Sequence, residues 1–180
     1  MDLTAGQELA VSGRIRLGVG WDKDRTAGAI GTGAPDIDLD ATAVQFASGQ
    51  LFDLAFYNNL STRDGSVVHE GDNQTGAGEG DDESLTVDLD RVHGPVDTIV
   101  LLVSSYQGHS LTWLDRGYCR VTDESGGEVA TIKISGGPDT TGLVLATLKR
   151  ASEGWVLRAV GEGVAITVPT QGLARLTPYL

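Results

Sequence analysis

The chain has 180 residues, of which 40% are hydrophobic, with a net charge of −12, a pI near 4.4 and a single cysteine. The acidic balance disfavours binding to nucleic acids and anionic membranes, which requires basic surfaces, and one cysteine excludes an internal disulfide. The sequence has neither an apolar run long enough to span a membrane nor a signal peptide, so we expect a cytoplasmic protein.

Short stretches of alternating apolar and polar residues dominate the sequence and are separated by turn residues. The first of them predicts a strand with Ile15, Leu17 and Val19 on one face. The continuous apolar run at 98–105 is typical of a central strand that is buried on both faces. In chain order, we predict strands at 14–20, 37–46, 52–57, 84–89, 98–105, 117–123, 128–134, 143–151 and 154–161.

Turn and helix signals complete this pattern. Residues 123–128 and 152–154 favour hairpin connections, residues 110–117 favour one or two helical turns, and residues 169–180 favour a short helix with Thr170 as its N-cap. Short strands without alternating helices disfavour Rossmann and TIM-barrel folds. We therefore predict an all-β fold, an antiparallel β-sandwich of two sheets with one or two short helices, formed by residues 1–180 as a single domain.

Acidic residues are concentrated in the middle of the chain. Residues 64–90 include nine aspartates and glutamates but no lysine or arginine. Because neighbouring carboxylates repel one another, such residues splay into solvent, take up protons or bind a cation. A run of charge is usually a solvated face, but three features of this sequence favour a cation.

The three features are additional oxygen donors and a backbone that can present them. Asp36, Asp38 and Asp40 alternate along one predicted strand and are expected to share a face. Residues 57–59 contribute asparagine amides, and four glycines within 71–80 allow backbone carbonyls to turn inward. Since the donors are predominantly oxygens, they favour Ca²⁺ over a structural zinc, with Mg²⁺ less suited to an irregular cage. The number of acids is sufficient for two ions.

An EF-hand does not explain the acidic segment. Residues 72–83 span twelve positions that begin with Asp and end with Glu, as an EF-hand loop does. However, Gln74, Gly76 and Ala77 occupy positions where the motif requires other residue types, and predicted strands flank the segment. We therefore expect a cation site assembled from several loops of a β fold.

Four segments together resemble the TerD family of tellurium-resistance and stress-response proteins: LGVGWD (17–22), DIDLDATA (36–43), residues 56–89 and WVLRAVGEG (155–163). The resemblance implies a β-sandwich that binds calcium through an acidic loop cluster, in bacterial operons for tellurite resistance and general stress. The metal ligands that the resemblance implies are Asp22, Asp38, Asp40, Asn58, Asn59, Asp72, Asn73, Gly78, Asp81, Asp82 and Glu83, with Gly78 binding through its carbonyl. Of these we give most weight to five acids: Asp40, Asp72, Asp81, Asp82 and Glu83.

Other reactive side chains are interpreted as structural. His69 and His109 accompany no nucleophile signature, and Cys119 lies in an alternating strand, as a small buried hydrophobe does. Asp64 is assigned to the turn 63–66, and the three tryptophans are expected in the core.

Together these expectations describe a non-enzymatic, calcium-binding stress-response protein with two Ca²⁺ ions, no catalytic residue and no organic cofactor. The expected partners are other proteins of a stress-response complex, without nucleic acid or membrane insertion. Two alternatives remain open. A metal-assisted, hydrolase-like enzyme would need an open coordination position and a nearby base, and a metal-free acidic surface would bind a basic partner.

Overall fold

The computed structural model describes residues 1–23, 33, 35, 37–72, 80–135 and 137–180, and for Lys23, Asp72 and Ser135 the description covers the backbone. Across these ranges, twelve strands form two six-stranded sheets. The strands are β1 (Asp2–Leu3), β2 (Glu8–Val11), β3 (Arg14–Lys23), β4 (Asp40–Ala47), β5 (Gln50–Ala55), β6 (Val67–Asp72), β7 (Glu83–Asp88), β8 (Thr98–Ser104), β9 (Leu114–Thr122), β10 (Glu128–Ser135), β11 (Gly142–Arg150) and β12 (Trp155–Val164).

Sheet A has the strand order β1-β10-β9-β3-β7-β6, and sheet B has the order β2-β12-β11-β8-β4-β5. Every neighbouring pair is antiparallel except β1 and β10, which run parallel. Short 3-10 helical segments occur at Leu111–Trp113, Pro169–Gln171 and Leu173–Tyr179. The predicted antiparallel β-sandwich with little helix is therefore confirmed.

The main core lies between the sheets and follows from strand alternation. Ile15, Leu17 and Val19 of β3 are buried in one cluster with Leu101 and Val103 of β8. A second cluster covers the outer face of sheet B, where Leu176 of the C-terminal segment is buried with residues of β4, β8 and β11. Because both faces of β8 are covered, all seven of its residues are buried, as the continuous apolar run predicted.

Several predicted details were wrong or incomplete. Strands β1, β2 and β6 were missed, and β4 begins at Asp40 and not at residue 37, although Ile37 and Leu39 are buried in the core. The segment that begins at Pro169 has Val168 as its N-cap, with no side-chain capping bond, so Thr170 is not the cap. Trp21 and Trp155 are buried as expected, but Trp113 is 39% exposed.

Hairpin turns confirm the expected connections and add one. The predicted turns at 123–128 and 152–154 join β9 to β10 and β11 to β12. The β4–β5 hairpin, which was not predicted, uses Ser48 and Gly49 with φ of 49° and 76°, and positive φ at both positions is the requirement of a tight type I′ turn. No helix among the described residues is long and apolar enough to cross a membrane.

Candidate metal centre

One end of the sandwich, which we call the acidic end, brings together five parts of the chain. The end of β3 lies beside the start of β7, because Val19 pairs with Glu83. The end of β6 joins them, because Asp72 also pairs with Glu83. The connection after β5 reaches β6, where His69 N donates to Leu60 O at 2.8 Å, and the start of β4 lies beside the end of β5. The acidic end thus comprises residues 21–22, 38–40, 56–60, 69–72 and 81–83.

The three consecutive acids at the start of β7 point to different surroundings. Asp81 faces the outer side of sheet A, where its Oδ2 lies 2.5 Å from Arg16 Nη1 and its Oδ1 lies 2.8 Å from Arg120 Nη2. The hydrogen bond to Asp81 raises the pKa of the Arg120 guanidinium. The carboxylate sits directly over Gly18, where a Cβ atom would come within 1.9 Å of Oδ2. A glycine on the outer face of β3 therefore makes room for Asp81.

Asp82 continues the hydrogen bonding of sheet A beyond β7. Its backbone N donates to Val19 O at 2.8 Å, and its Oδ2 accepts a hydrogen bond from Trp21 N at 3.0 Å. The side chain thus takes the place of a further strand residue opposite the end of β3. Asp82 is 8% exposed, so this carboxylate is largely withdrawn from water.

Glu83 points into the sandwich and meets His69. The Glu83 Oε2 atom lies 2.9 Å from His69 Nε2, and both side chains are at most 1% exposed. The other ring nitrogen, Nδ1, accepts a hydrogen bond from Gly71 N at 3.2 Å. The approach of Nε2 to Oε2 does not have hydrogen-bond geometry, so the two buried polar groups meet in a close contact. The His69 side chain is fully buried and is therefore inaccessible to a substrate.

Asp38 lies just before β4, and Asp40 is the first residue of that strand. Asp40 is buried at 6% exposure, and Asp38 is half-buried. Burial, together with the negative charge of Asp40, raises the pKa of the Tyr57 phenol. Tyr57 in turn packs edge-on against Phe56 and Tyr106, with ring centroids 5.0 and 5.7 Å away. Asp40 therefore lies beside an aromatic group at the acidic end.

The remaining predicted ligands are more dispersed. The Asp22 side chain is 59% exposed and lies 3.1 Å from Arg116 Nη2. Asn58 and Asn59 are exposed in the turn after β5, and Asn59 Nδ2 donates to Leu54 O at 2.7 Å. Asn73 and Gly78 lie outside the described residues, as does the side chain of Asp72.

The carboxylate and amide oxygens at the acidic end are of the type that a hard cation binds. Burying a carboxylate is unfavourable unless its charge is neutralised, and Asp40, Asp82 and Glu83 are all buried at the acidic end. In the ranges that the structure describes, no three acidic, histidine or cysteine side chains form a group that could hold a metal ion. The described residues alone therefore do not form a complete metal centre.

Sequence reasoning did not assign a role at this site to His69 or to the arginines. His69 follows the alternation of β6, in which Val67 and His69 are buried while Val68 and Glu70 are exposed. That alternation signals an inward-facing imidazole. Arg16 alternates with the buried residues of β3 in the same way, but its partner comes from another part of the chain, and no sequence spacing shows that contact.

Comparison with known proteins identifies the family. The TerD domain model matches residues 1–176. The chain is 34% identical over 164 residues to the tellurium resistance protein TerZ of Serratia marcescens (89% of this chain, 85% of the relative). It is 38% identical over 161 residues to TerD of the same organism (84% and 81%), and 34% identical over 178 residues to the stress response protein SCP2 of Bacillus subtilis (91% and 88%).

A solved structure shares the fold. The structure of a homologue of the telluride resistance protein TerD from Streptomyces coelicolor A3(2) aligns with a TM-score of 0.74, covering 93% of this chain and 98% of that one at 18% identity. The two sheets described above are thus the architecture of that protein as well. With the family model matching almost the whole chain, and with relatives more than 30% identical over most of their length, the chain belongs to the TerD family.

Proposed function

We propose that this protein is a non-enzymatic, calcium-binding stress-response protein of the tellurium-resistance type, and that it binds two Ca²⁺ ions at the acidic end. The observation that carries the proposal is the burial of three carboxylates, Asp40, Asp82 and Glu83, at one end of the sandwich. The acid-rich stretch 70–83 runs from the end of β6 to the start of β7 at this same end.

Electrostatics supports a cation at this position. Carboxylates a few ångströms apart in a protein repel one another by about 1–4 kcal/mol per pair, depending on the effective dielectric. A divalent ion removes that repulsion and links the parts of the chain that supply its oxygen ligands. In the proposal, Asp38, Asp40, Asp82 and Glu83 hold calcium together with Asp72, Asn73 and the Gly78 carbonyl, and Asn58 and Asn59 complete the set.

Asp22 and Asp81 have a different part in the proposal. Each lies on the outer face of sheet A against an arginine. Tyr118 Oη donates to Gly80 O at 3.0 Å, so β9 holds residues 80 and 81 through two side chains, Tyr118 and Arg120. We assign Asp81 to this anchoring role, which directs the following Asp82 and Glu83 toward the cation.

The biological setting follows the relatives. They are named as resistance and stress-response proteins, which supports a stress-response role and a binding protein over an enzyme. We propose a cytoplasmic location, with which a free, buried thiol at Cys119 is compatible, and other proteins of a stress-response complex as partners.

Thermal unfolding with and without calcium tests the proposal. An ion that binds only the folded protein stabilises it by about 2.7 kcal/mol at one hundred times its dissociation constant, which corresponds to about 5–11 °C in Tm for a chain of this size. We expect a rise of that order between excess chelator and millimolar Ca²⁺. Asp88→Asn, on the outer face and away from the acidic end, should show the same rise. An unchanged Tm in the wild type would overturn the calcium role.

A further inference from the structure

We propose that a cleft on the outer face of sheet B binds a small oxyanion of the phosphate type. The cleft has a volume of about 210 Å³ and lies between β11, β12, the β1–β2 connection and the C-terminal segment. Sites for drug-sized ligands measure about 300–1,000 Å³, so this cleft suits a smaller ligand. It shares no residue with the acidic end, and the inference is therefore independent of the calcium proposal.

Two cationic side chains line the cleft, Lys149 from β11 and Arg158 from the adjacent strand β12. Lys149 pairs with Val156, and Thr147 pairs with Arg158. Because alternate residues of a strand share a face, Lys149 and Arg158 are diagonal neighbours, about 7–8 Å apart. A small ligand that lies between them can therefore contact both side chains.

Neither cation is neutralised by the protein within the described part of the chain. No carboxylate there forms an ion pair with Lys149 or Arg158, and this includes Glu8, which pairs with Arg158 across β2. Acidic residues outnumber basic ones by 25 to 13 in the sequence, so a pair of cations without a carboxylate partner is notable. Two like charges this close repel each other, and a bound anion would remove that repulsion.

A third side chain of the cleft provides a hydroxyl group. Thr147 lies directly opposite Arg158 and lines the same cleft. Its side chain is buried, with 2% exposure, and its Oγ1 makes no hydrogen bond to any described residue. A buried hydroxyl without a partner is unfavourable, and an oxyanion can accept a hydrogen bond from it. The guanidinium of Arg158 has the planar set of donors that matches an oxyanion, and Lys149 adds a point charge.

One carboxylate, that of Glu162, also lines the cleft and limits what can bind there. Its Oε2 accepts a hydrogen bond from Tyr179 Oη at 3.1 Å. Burial, together with this bond and the charge of Glu162, raises the pKa of the Tyr179 phenol. Glu162 follows Arg158 by four positions in β12, which is about 10–13 Å along a strand. The negative charge therefore disfavours a long polyanion and leaves room for a small anion beside the two cations.

Calorimetric titration with inorganic phosphate tests the site, in the presence of chelator so that calcium does not combine with the phosphate. We expect one saturable binding event, which potassium chloride at equal ionic strength does not reproduce. Arg158→Gln and Lys149→Gln each remove one charged donor, so each should lower phosphate affinity about tenfold or more. The Tm of each variant in chloride shows that it is folded.

Arg175→Gln is the matched control, because Arg175 is exposed on the C-terminal segment and loses the same charge without lining the cleft. It should bind phosphate as tightly as the wild type. Titration with glycerol 3-phosphate separates the two sources of the group: tighter binding than phosphate assigns the cleft to a phosphorylated small molecule, and weaker binding assigns it to free phosphate. Absence of phosphate binding by the wild type, or an affinity of either cleft variant equal to that of Arg175→Gln, would overturn the proposal.

Discussion

Asp81 provides a direct test of how the chain returns from its acidic segment to sheet A. Its side chain is 3% exposed and lies between Arg16 and Arg120, each 37% exposed. Asp81→Asn keeps the shape of the side chain but removes its charge. The variant therefore isolates the electrostatic part of this anchor.

The size of the effect follows from the contacts. Hydrogen bonds to charged groups contribute about 1.5–3 kcal/mol each, and Asp81 makes two with arginines. Water can rehydrate the part-exposed guanidinium groups once the charge is gone, and an asparagine can still accept one bond, so the loss is smaller than the sum. We expect destabilisation of about 2 kcal/mol, or a Tm lower by about 4–8 °C.

Thermal and urea unfolding in excess chelator measure this change without any contribution from bound ions. Asp88→Asn is the matched control, because Asp88 pairs with Arg14 at 3.2 Å and the Arg14 side chain is 55% exposed. Exposed pairs contribute less than about 1 kcal/mol, so the control should stay near the wild type. Equal stabilities of Asp81→Asn and Asp88→Asn would refute the reasoning.

Three further predictions concern regions away from the acidic end. Burial raises the pKa of Asp64, but hydrogen bonds, chiefly from the backbone N–H groups of His93 and Ser66, outweigh it and lower the pKa from an ordinary 3.8 to about 2. These bonds stabilise the ionised carboxylate, so their contribution to stability is present above about pH 4 and lost toward pH 2. Between these pH values, the free energy of unfolding in urea should change by about 1 kcal/mol less in Asp64→Asn than in the wild type. An equal change in both proteins would contradict this. Burial raises the pKa of the Cys119 thiol to about 12, so a thiol reagent at pH 8 should react only after denaturation, and rapid reaction of the native protein would contradict this. Leu176→Ala should lower the free energy of unfolding by about 2–4 kcal/mol, since Leu176 is buried against the outer face of sheet B; a change below about 1 kcal/mol would show that the C-terminal segment contributes little.

The sheet architecture could be predicted because its signal is local. Alternation in β3, β7 and β9 marks which residues face the core, and the apolar run of β8 marks a strand covered on both sides. β6 was missed because a histidine occupies one of its inward positions, and β1 and β2 because two and four residues are too short for periodicity to register.

The candidate site could be predicted in composition but not in orientation. The density of acids in 64–90 locates it along the chain, yet three adjacent acids, Asp81, Asp82 and Glu83, meet an arginine pair, a backbone N–H and an imidazole respectively. Their directions depend on the start of β7, the register shift in β6 between His69 and Asp72, and the space above Gly18. These are tertiary contacts, which residue spacing does not encode.

Calorimetric titration of the chelator-treated protein with Ca²⁺ tests the central claim most directly. The account predicts saturable binding of two ions. It also predicts affinity weaker by about tenfold or more in Asp82→Asn, which removes a ligand charge while keeping an oxygen acceptor for Trp21 N. Absence of binding at millimolar Ca²⁺, or equal affinities of the wild type and Asp82→Asn, would contradict a calcium site at the acidic end.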